Sequence, residues 1–247
     1  MIEVRNISKS FKNTEILKNI SIKFEKGKNN LIIGQSGSGK TVLMKSIVGL
    51  HNVDKGEIFF DGQPFLIMND KQKKKIRREI GMLFQGSALF DYMTVEENVM
   101  FPITMFTNQS LEEKLERVNF CLSRVDLENA NKLYPSELSG GMKKRVAIAR
   151  AISMNPKYLF CDEPNSGLDP RTASIIDDLI AELTEEFQTT TIINTHDMNS
   201  VLKIGDNIAF IYKGELCWQG NKTEILNTDN EKLNSFVFAT ELTKRLK

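Results

Sequence analysis

Several features that mark secreted, membrane-spanning and nucleic-acid-binding proteins are absent from this chain of 247 residues. Its three cysteines, at positions 121, 161 and 217, match neither a disulfide framework nor a zinc site. Its 33 basic and 32 acidic residues nearly cancel, which gives no general attraction to nucleic acid. It has no apolar run of the ~20 residues that span a bilayer and no signal-peptide core at its start. We therefore expect a cytoplasmic protein that reaches a membrane only through a partner.

The spacing of apolar residues indicates strands that alternate with helices. The predicted strands are the alternating segments of the first 24 residues, 30–34, 56–62, 80–84, 157–161, 189–194, 208–212 and 216–218. The predicted helices are 40–50, 70–80, 94–105, 111–124, 139–155, 171–187 and 229–247. This order predicts an α/β fold with a mainly parallel sheet that is covered on both faces.

The first chemical motif is a glycine-rich loop between a predicted strand and a predicted helix. Residues 34–41 fit the phosphate-binding pattern G-x-x-x-x-G-K-[ST]. Glycines let backbone N–H groups approach phosphate oxygens, Lys40 would reach the β- and γ-phosphates, and the Thr41 hydroxyl would bind Mg²⁺. The expected nucleotide contacts are Gly34, Gln35, Ser36, Gly37, Ser38, Gly39, Lys40 and Thr41.

Acid–base groups follow two other predicted strands. Asp162 and Glu163 come directly after the apolar residues 158–161, and His196 follows the strand 189–194. Parallel strands end at one edge of a sheet, so these groups are expected beside the glycine loop. Asp162 would hold Mg²⁺, Glu163 would be the general base on the attacking water, and His196 would contact the γ-phosphate. Together with the glycine loop they predict ATP hydrolysis.

Further segments, in a fixed order, resemble the motifs of the ATP-binding cassette (ABC) ATPases. Residues 138–142, Leu-Ser-Gly-Gly-Met, resemble the signature motif of that family, and Gln85 resembles its Q-loop glutamine. Asp169, in Ser-Gly-Leu-Asp, resembles the D-loop aspartate, and His196 the switch histidine. Phe11 resembles the aromatic residue that stacks on adenine.

The resemblance, which extends from residue 1 to about residue 225, implies a P-loop NTPase fold with an antiparallel N-terminal β subdomain and an inserted α-helical subdomain. It implies a homodimer that holds two ATP molecules between its chains, with Mg²⁺ as cofactor. Gln85 would contact Mg²⁺ or water, and Asp169 would help couple the two sites. The signature residues that would contact the γ-phosphate bound by the partner chain are Ser139, Gly140 and Gly141.

Two residues depart from the pattern of that family. Met142 stands where the signature usually has glutamine, which leaves the side-chain support of that loop open. Phe11 replaces the commoner tyrosine and keeps the stacking face.

The domain organisation that the resemblance implies is one ABC domain. It has a catalytic core and β subdomain (1–85 and 156–225), a helical signature subdomain (86–155) and a C-terminal helical extension (226–247).

The segment after Gln85 resembles one group within the family. Residues 84–103, together with Met142, are similar to the MlaF-type ATPases of Mla/Mce phospholipid transport systems. That resemblance implies an integral-membrane permease of the MlaE type docked near residues 86–103. It places the chain on the inner face of the cell membrane, with phospholipid as cargo. The ATPases of amino-acid and methionine importers share the general pattern of this segment and are the alternative.

Two other function classes stay open. A soluble cassette ATPase of the cluster-assembly kind fits the length, whereas the coiled-coil insertion of repair ATPases and the second cassette of translation factors are missing. A silent nucleotide-binding scaffold is disfavoured by the intact Lys40, Glu163 and His196. The basic run 71–78 is short and has no interleaved aromatic residues, so we interpret it as a solvated helical face and expect no nucleic-acid partner.

Overall fold

The computed structural model describes residues 1–238, so residues 239–247 of the predicted closing helix lie outside the described residues. The helices are α1 (Lys40–Ile47), α2 (Asp70–Arg78), α3 (Val95–Phe106), α4 (Leu111–Arg124), α5 (Gly140–Ile152), α6 (Pro170–Phe187), α7 (Met198–Ile204) and α8 (Glu231–Val237). Within residues 1–238, none of them is long and apolar enough to cross a lipid bilayer.

The strands form two sheets. They are β1 (Ile2–Phe11), β2 (Thr14–Phe24), β3 (Lys28–Ile33), β4 (Lys55–Phe60), β5 (Gln63–Pro64), β6 (Ile80–Leu83), β7 (Tyr158–Asp162), β8 (Thr190–Thr195), β9 (Asn207–Tyr212) and β10 (Glu215–Gly220). The larger sheet has the order β10-β9-β3-β8-β7-β6 and is parallel except for the edge strand β10. The smaller sheet, β2-β1-β4-β5, is antiparallel. The predicted α/β fold class is therefore confirmed.

Alternating side chains of the large sheet feed two apolar cores. In β3, Leu31 and Ile33 pack into one core, and Ile32, between them, packs into the other. The first core contains the apolar faces of α3 to α8, and the second contains α1 and the small antiparallel sheet. Because successive side chains of a strand point to opposite faces, a strand buried on both sides must be apolar throughout. This explains the continuous apolar runs in the sequence.

Helices α3, α4 and α5 pack against one another beside the edge strand β6. Helix α3 starts with a capping box in which the side chains of Thr94 and Glu97 accept hydrogen bonds from each other's backbone N–H groups, and Ser110 and Glu113 do the same for α4. The proposed subdomain boundaries near residues 85 and 155 fall in the connections after β6 and after α5. The division itself stays a proposal.

The structure also contains an element that the apolar spacing did not predict. Helix α7 is a seven-residue helix directly after His196, capped by the Asp197 side chain. It is too short for a helical period to stand out in the sequence. Near the C-terminus, the closing helix starts at Glu231 rather than at the predicted residue 229.

Asn98, on α3, is a buried side chain that organises the turn before its helix. Its Oδ1 accepts a hydrogen bond from the backbone N–H of Phe90 (2.8 Å). Its Nδ2 donates to the carbonyls of Phe90 (3.1 Å), Met93 (3.1 Å) and Thr94 (2.9 Å). One amide therefore fixes the backbone of residues 90–94.

Replacing this amide should destabilise the protein. We expect Asn98→Ala to lower the free energy of unfolding by about 2–3 kcal/mol, because buried backbone groups lose their partner. Urea denaturation followed by circular dichroism measures the change. Asn108→Ala, at an exposed position beyond the same helix, is the control and should change the value by less than about 0.5 kcal/mol. Equal values for the two variants would contradict this role of Asn98.

Candidate active site

The glycine loop connects the end of β3 to the start of α1. Gly34 has φ +149° and Gly39, the N-cap of α1, has φ +107°. A Cβ atom on Gly34 would lie 2.2 Å from the backbone oxygen of Ile211, so only glycine fits there. The loop thus brings its backbone to the first turn of a helix, where free N–H groups bind anions.

Lys40 is buried, and its ammonium group lies within its own loop. Nζ donates to the carbonyl oxygens of Gly34 (2.8 Å) and Gln35 (3.1 Å). Burial lowers the pKa of Lys40, and the carboxylates of Glu163 and Asp162 oppose that shift. The loop therefore holds the buried Lys40 side chain against two neutral carbonyl oxygens. A phosphate oxygen can take the place of these acceptors, because its contact with the ammonium group is charge-assisted and stronger.

Asp162 is in contact with the start of α1. Its Oδ1 accepts hydrogen bonds from the Thr41 hydroxyl (3.2 Å) and from Asn194 Nδ2 (3.1 Å). This group of one carboxylate, one hydroxyl and one amide fits Mg²⁺, which binds proteins through one or two carboxylates and completes its octahedron with waters and substrate phosphates. Thr41 and Asp162, which the sequence analysis assigned separately to Mg²⁺, are therefore in direct contact.

Glu163 and His196 form a close pair at the ends of β7 and β8. His196 Nδ1 lies 2.8 Å from Glu163 Oε2. Glu163 has a left-handed backbone (φ +49°), and its N–H donates to the carbonyl of Asn194 (2.9 Å). This sharp turn directs a carboxylate out of the sheet edge, while the imidazole remains largely exposed.

One open cavity of about 1310 Å³ brings most of the predicted site residues together. Among its lining residues are Phe11, Gln35, Ser36, Gly37, Gly39, Lys40, Thr41, Gln85, Glu163 and His196. Phe11 is 41% exposed at the rim, with Lys9 Nζ 5.2 Å from the centre of its ring. Gly34, Ser38 and Asp162 lie directly behind this lining, in the same loop and strand.

The signature residues lie elsewhere in the chain. Ser139 is the N-cap of α5, and Ser139 and Gly141 line a separate depression of about 490 Å³ together with Arg145 and Thr172. The cap consists of the Ser139 hydroxyl, which accepts from the Met142 backbone N–H (3.2 Å), while the Met142 side chain packs on the helical core. The departure at Met142 therefore leaves the capping bond intact.

Asp169 is also outside the main cavity. It caps α6, where its side chain accepts hydrogen bonds from the N–H groups of Arg171 and Thr172 and from the Thr172 hydroxyl (2.6 Å). Thr172 contributes to the depression that Ser139 lines. One chain therefore groups the predicted residues into two surfaces. The first is the large cavity, and the second is the depression that Ser139 lines, with Asp169 beside it.

Three polar residues of the site escaped the sequence analysis. Asn194 interrupts a buried strand of β-branched residues, and that interruption was a usable signal. Asn165 lines the cavity and donates to Asp177 (2.8 Å) and to the Ser200 hydroxyl (2.9 Å), which ties the segment after Glu163 to α6 and α7. Lys144 is buried among apolar residues of α5 and contacts two site carbonyls.

Known proteins share both the sequence and the fold. The family model described as "ABC transporter" matches residues 17–166. The methionine import ATP-binding protein MetN of Clostridium tetani is 36% identical over 98% of this chain and 76% of its own length. MetN of Protochlamydia amoebophila is 39% identical over 91% of this chain and 67% of its own length. The probable ribonucleotide transport ATP-binding protein mkl of Mycobacterium leprae is 33% identical over 96% of this chain and 68% of its own length. These names do not support the phospholipid system expected from residues 84–103.

Solved structures agree with the family match. The dimeric ABC transporter cassette MJ0796 has a TM-score of 0.82 and 33% identity, and the match covers 90% of this chain and 99% of that one. The same cassette, in a post-hydrolysis state bound to ADP and Pi, has a TM-score of 0.81 and 34% identity over the same shares of the two chains. The cbiO1 protein of Clostridium perfringens has a TM-score of 0.86 and 31% identity, over 99% of this chain and 98% of that one. The chain therefore belongs to the ABC transporter family, and it is one of the ATP-hydrolysing cassettes of that family.

Proposed function

We propose that the chain hydrolyses ATP in a composite site of a homodimer and thereby drives a separate membrane permease. The observation that supports this best is that Lys40, Thr41, Glu163 and His196 line one cavity large enough for a nucleotide, with Asp162 bonded to Thr41 directly behind it. Phe11, at the rim, is exposed enough to stack on an adenine ring. Lys40 and the loop N–H groups would hold the phosphates.

The protein's part in the chemistry is positioning and proton transfer. Thr41 and Asp162 would hold Mg²⁺, with the side chain of Gln85 beside it, and the ion would neutralise phosphate charge. Glu163 would accept a proton from water as the water oxygen attacks the γ-phosphorus and the bond from that phosphorus to the β–γ bridging oxygen breaks. His196, 2.8 Å from Glu163, would orient that carboxylate and contact the departing phosphate.

The second surface requires a second chain. Ser139, Gly140 and Gly141 present the N-terminus of α5, whose free N–H groups favour an anion, but they are not among the residues that line the cavity of the same chain. In a head-to-tail dimer they would face the γ-phosphate held by the partner. Asp169, next to that surface, would help couple the two sites. The solved cassette MJ0796 is a dimer, which supports this proposal.

Glu163→Gln tests the catalytic assignment. We expect ATP to bind as before while hydrolysis falls by at least ~100-fold, because an amide cannot accept the proton of the attacking water. Because turnover is blocked, size-exclusion chromatography with ATP should show an accumulated dimer. Glu182→Gln, an exposed position on α6, is the control and should hydrolyse ATP normally. If Glu163→Gln keeps the wild-type rate, another group activates the water.

Two kinds of cargo have specific support. The relatives named for methionine import favour an amino acid as cargo, and this is the better-supported of the two. The phospholipid alternative, with a MlaE-like permease, is favoured by residues 84–103 and Met142 alone. Either cargo would place the chain on the inner face of the cell membrane, held by its permease.

The face of residues 86–103 is where we propose that the permease docks. Leu89 packs on the helical core, and Phe90 is half-buried, with its ring centre 4.8 Å from that of Phe101. Tyr92 is 74% exposed. The exposed aromatic ring therefore belongs to Tyr92, within the segment 90–94 whose backbone Asn98 fixes.

A charge on this face should separate hydrolysis from transport. We expect Tyr92→Glu to leave the hydrolysis rate of the isolated chain within about twofold, because Tyr92 is outside the nucleotide cavity, and to abolish permease-stimulated hydrolysis. Leu111→Glu, exposed on α4 outside this face, is the control. The measurement is ATPase activity after co-purification from detergent-solubilised membranes. An amino-acid permease in that complex supports import, a MlaE-like permease supports lipid transport, and no membrane protein at all would refute both.

A further inference from the structure

Helix α5 contains a buried lysine that reaches back to the nucleotide site of its own chain. Lys144 is 4% exposed, and its Nζ donates to the carbonyl of Gln85 and, at 3.5 Å, to the carbonyl of Glu163. Within residues 1–238 it makes no ion pair with a carboxylate. Its partners are therefore two backbone oxygens, one in the segment after β6 and one directly after β7.

The same helix holds the next residues of that segment. The guanidinium group of Arg150 donates to the carbonyls of Ser87 and Ala88, both at 2.8 Å. Ser87 (φ +62°) and Ala88 (φ +49°) are consecutive non-glycine residues in the left-handed region, which costs free energy unless neighbouring contacts hold them there. Two cations on α5 thus fix the backbone from residue 85 to residue 88.

Lys144 also restrains the backbone of Glu163. Glu163 is also left-handed (φ +49°), and its side chain meets His196. A donor on its carbonyl, together with the bond from its N–H to Asn194, fixes the peptide planes on both sides of that residue. The backbone then sets the direction of the Glu163 Cα–Cβ bond, and the contact with His196 holds the carboxylate. Burial lowers the pKa of Lys144, and the acidic groups beside it, Asp162 and Glu163 among them, oppose that shift.

We propose that Lys144 is a positioning residue for hydrolysis in its own chain. It holds the carbonyls of Gln85 and Glu163, and so aligns the Q-loop glutamine and the general base on the ATP of the same chain. This is not the assignment that its place suggests, because Lys144 lies one helical turn after Gly140, whose N–H we assign to the ATP of the partner. The inference rests on the roles proposed above for Gln85 and Glu163 and on composite sites.

Heterodimers with a single working site can show whether Lys144 serves the ATP of its own chain or, through the signature helix, the ATP of the partner. In a dimer of a Ser139→Arg chain with a Lys40→Ala chain, one site has both defects and the other has neither. The working site uses the glycine loop, Gln85 and Glu163 of the Ser139→Arg chain and the signature of the Lys40→Ala chain. Lys144→Met can then be added to either chain, with differently tagged chains purified in sequence so that only heterodimers are assayed.

We expect the two placements to differ. Lys144→Met in the Ser139→Arg chain should lower kcat of the heterodimer at least ~10-fold with KM for ATP within about twofold, because the phosphate contacts remain. In the Lys40→Ala chain it should leave kcat within about twofold. Lys144→Arg in the sensitive chain should recover most of the rate, because it restores a donor. Lys143→Met, at the adjacent position, is the matched control and should be silent in both chains.

Each other result has a defined meaning. Equal losses in the two placements, or a loss only in the Lys40→Ala chain, would overturn the proposal and make Lys144 a support of the signature helix. If the heterodimer without Lys144→Met is inactive, either the composite-site arrangement or the independence of its two sites is wrong. In that case the homodimers decide: Lys144→Met with wild-type kcat, or with a raised KM and no loss of kcat, also overturns the proposal. If Lys144→Met unfolds, Lys144→Leu, which also fills the buried position without a donor, takes its place in every arm.

Discussion

The parallel pairing of β3, β7 and β8 is the constraint on which the rest of the site depends. Ile33 pairs with Thr195, and Asp162 pairs with Asn194, so the three strands end within one residue of a common level at one edge of the sheet. The glycine loop follows the first of these strands, Asp162 ends the second and Glu163 follows it, and His196 follows the third. A slip of one residue between β7 and β8 would turn the side chain of Asp162 to the other face of the sheet and away from Thr41.

The apolar cores on both faces stabilise this register, and the site uses part of that stability. Glu163 takes a left-handed backbone, and Asn194 places an amide inside a buried strand whose other residues are β-branched. Such features cost of order 1–3 kcal/mol each and persist where surrounding contacts over-determine them. Here the contacts are the bond from the Glu163 N–H to the Asn194 carbonyl and the bond from Asn194 Nδ2 to Asp162. The strained residue and the buried amide therefore hold each other in place.

Local chemistry decided how much of the site could be predicted from the sequence. The loop of residues 34–41 was predictable because strand, glycines and helix are adjacent in the chain, and Asp162 and Glu163 were predictable because a parallel sheet aligns strand ends. Lys144 was not predictable, because its contact with Gln85 spans 59 residues and depends on how α5 packs beside β6. The sequence also left open whether Met142 weakens the signature loop. The cap uses the Met142 backbone N–H, which does not depend on the identity of that side chain.

The two kinds of cargo evidence differ because they sample different parts of the surface. The two cores and the nucleotide cavity contribute most of the identity over the whole chain. The cores serve the fold and the cavity serves ATP, whatever cargo the permease carries. If the permease docks where we propose, the residues that distinguish one permease from another are side chains on the outer face of residues 86–103, and Tyr92 is the most exposed aromatic ring among them. That face is linked to the site through backbone, since Arg150 holds Ser87 and Ala88, and Lys144 holds Gln85. The identity of the permease can therefore change through a few surface side chains while the connection from ATP to the docking face stays the same.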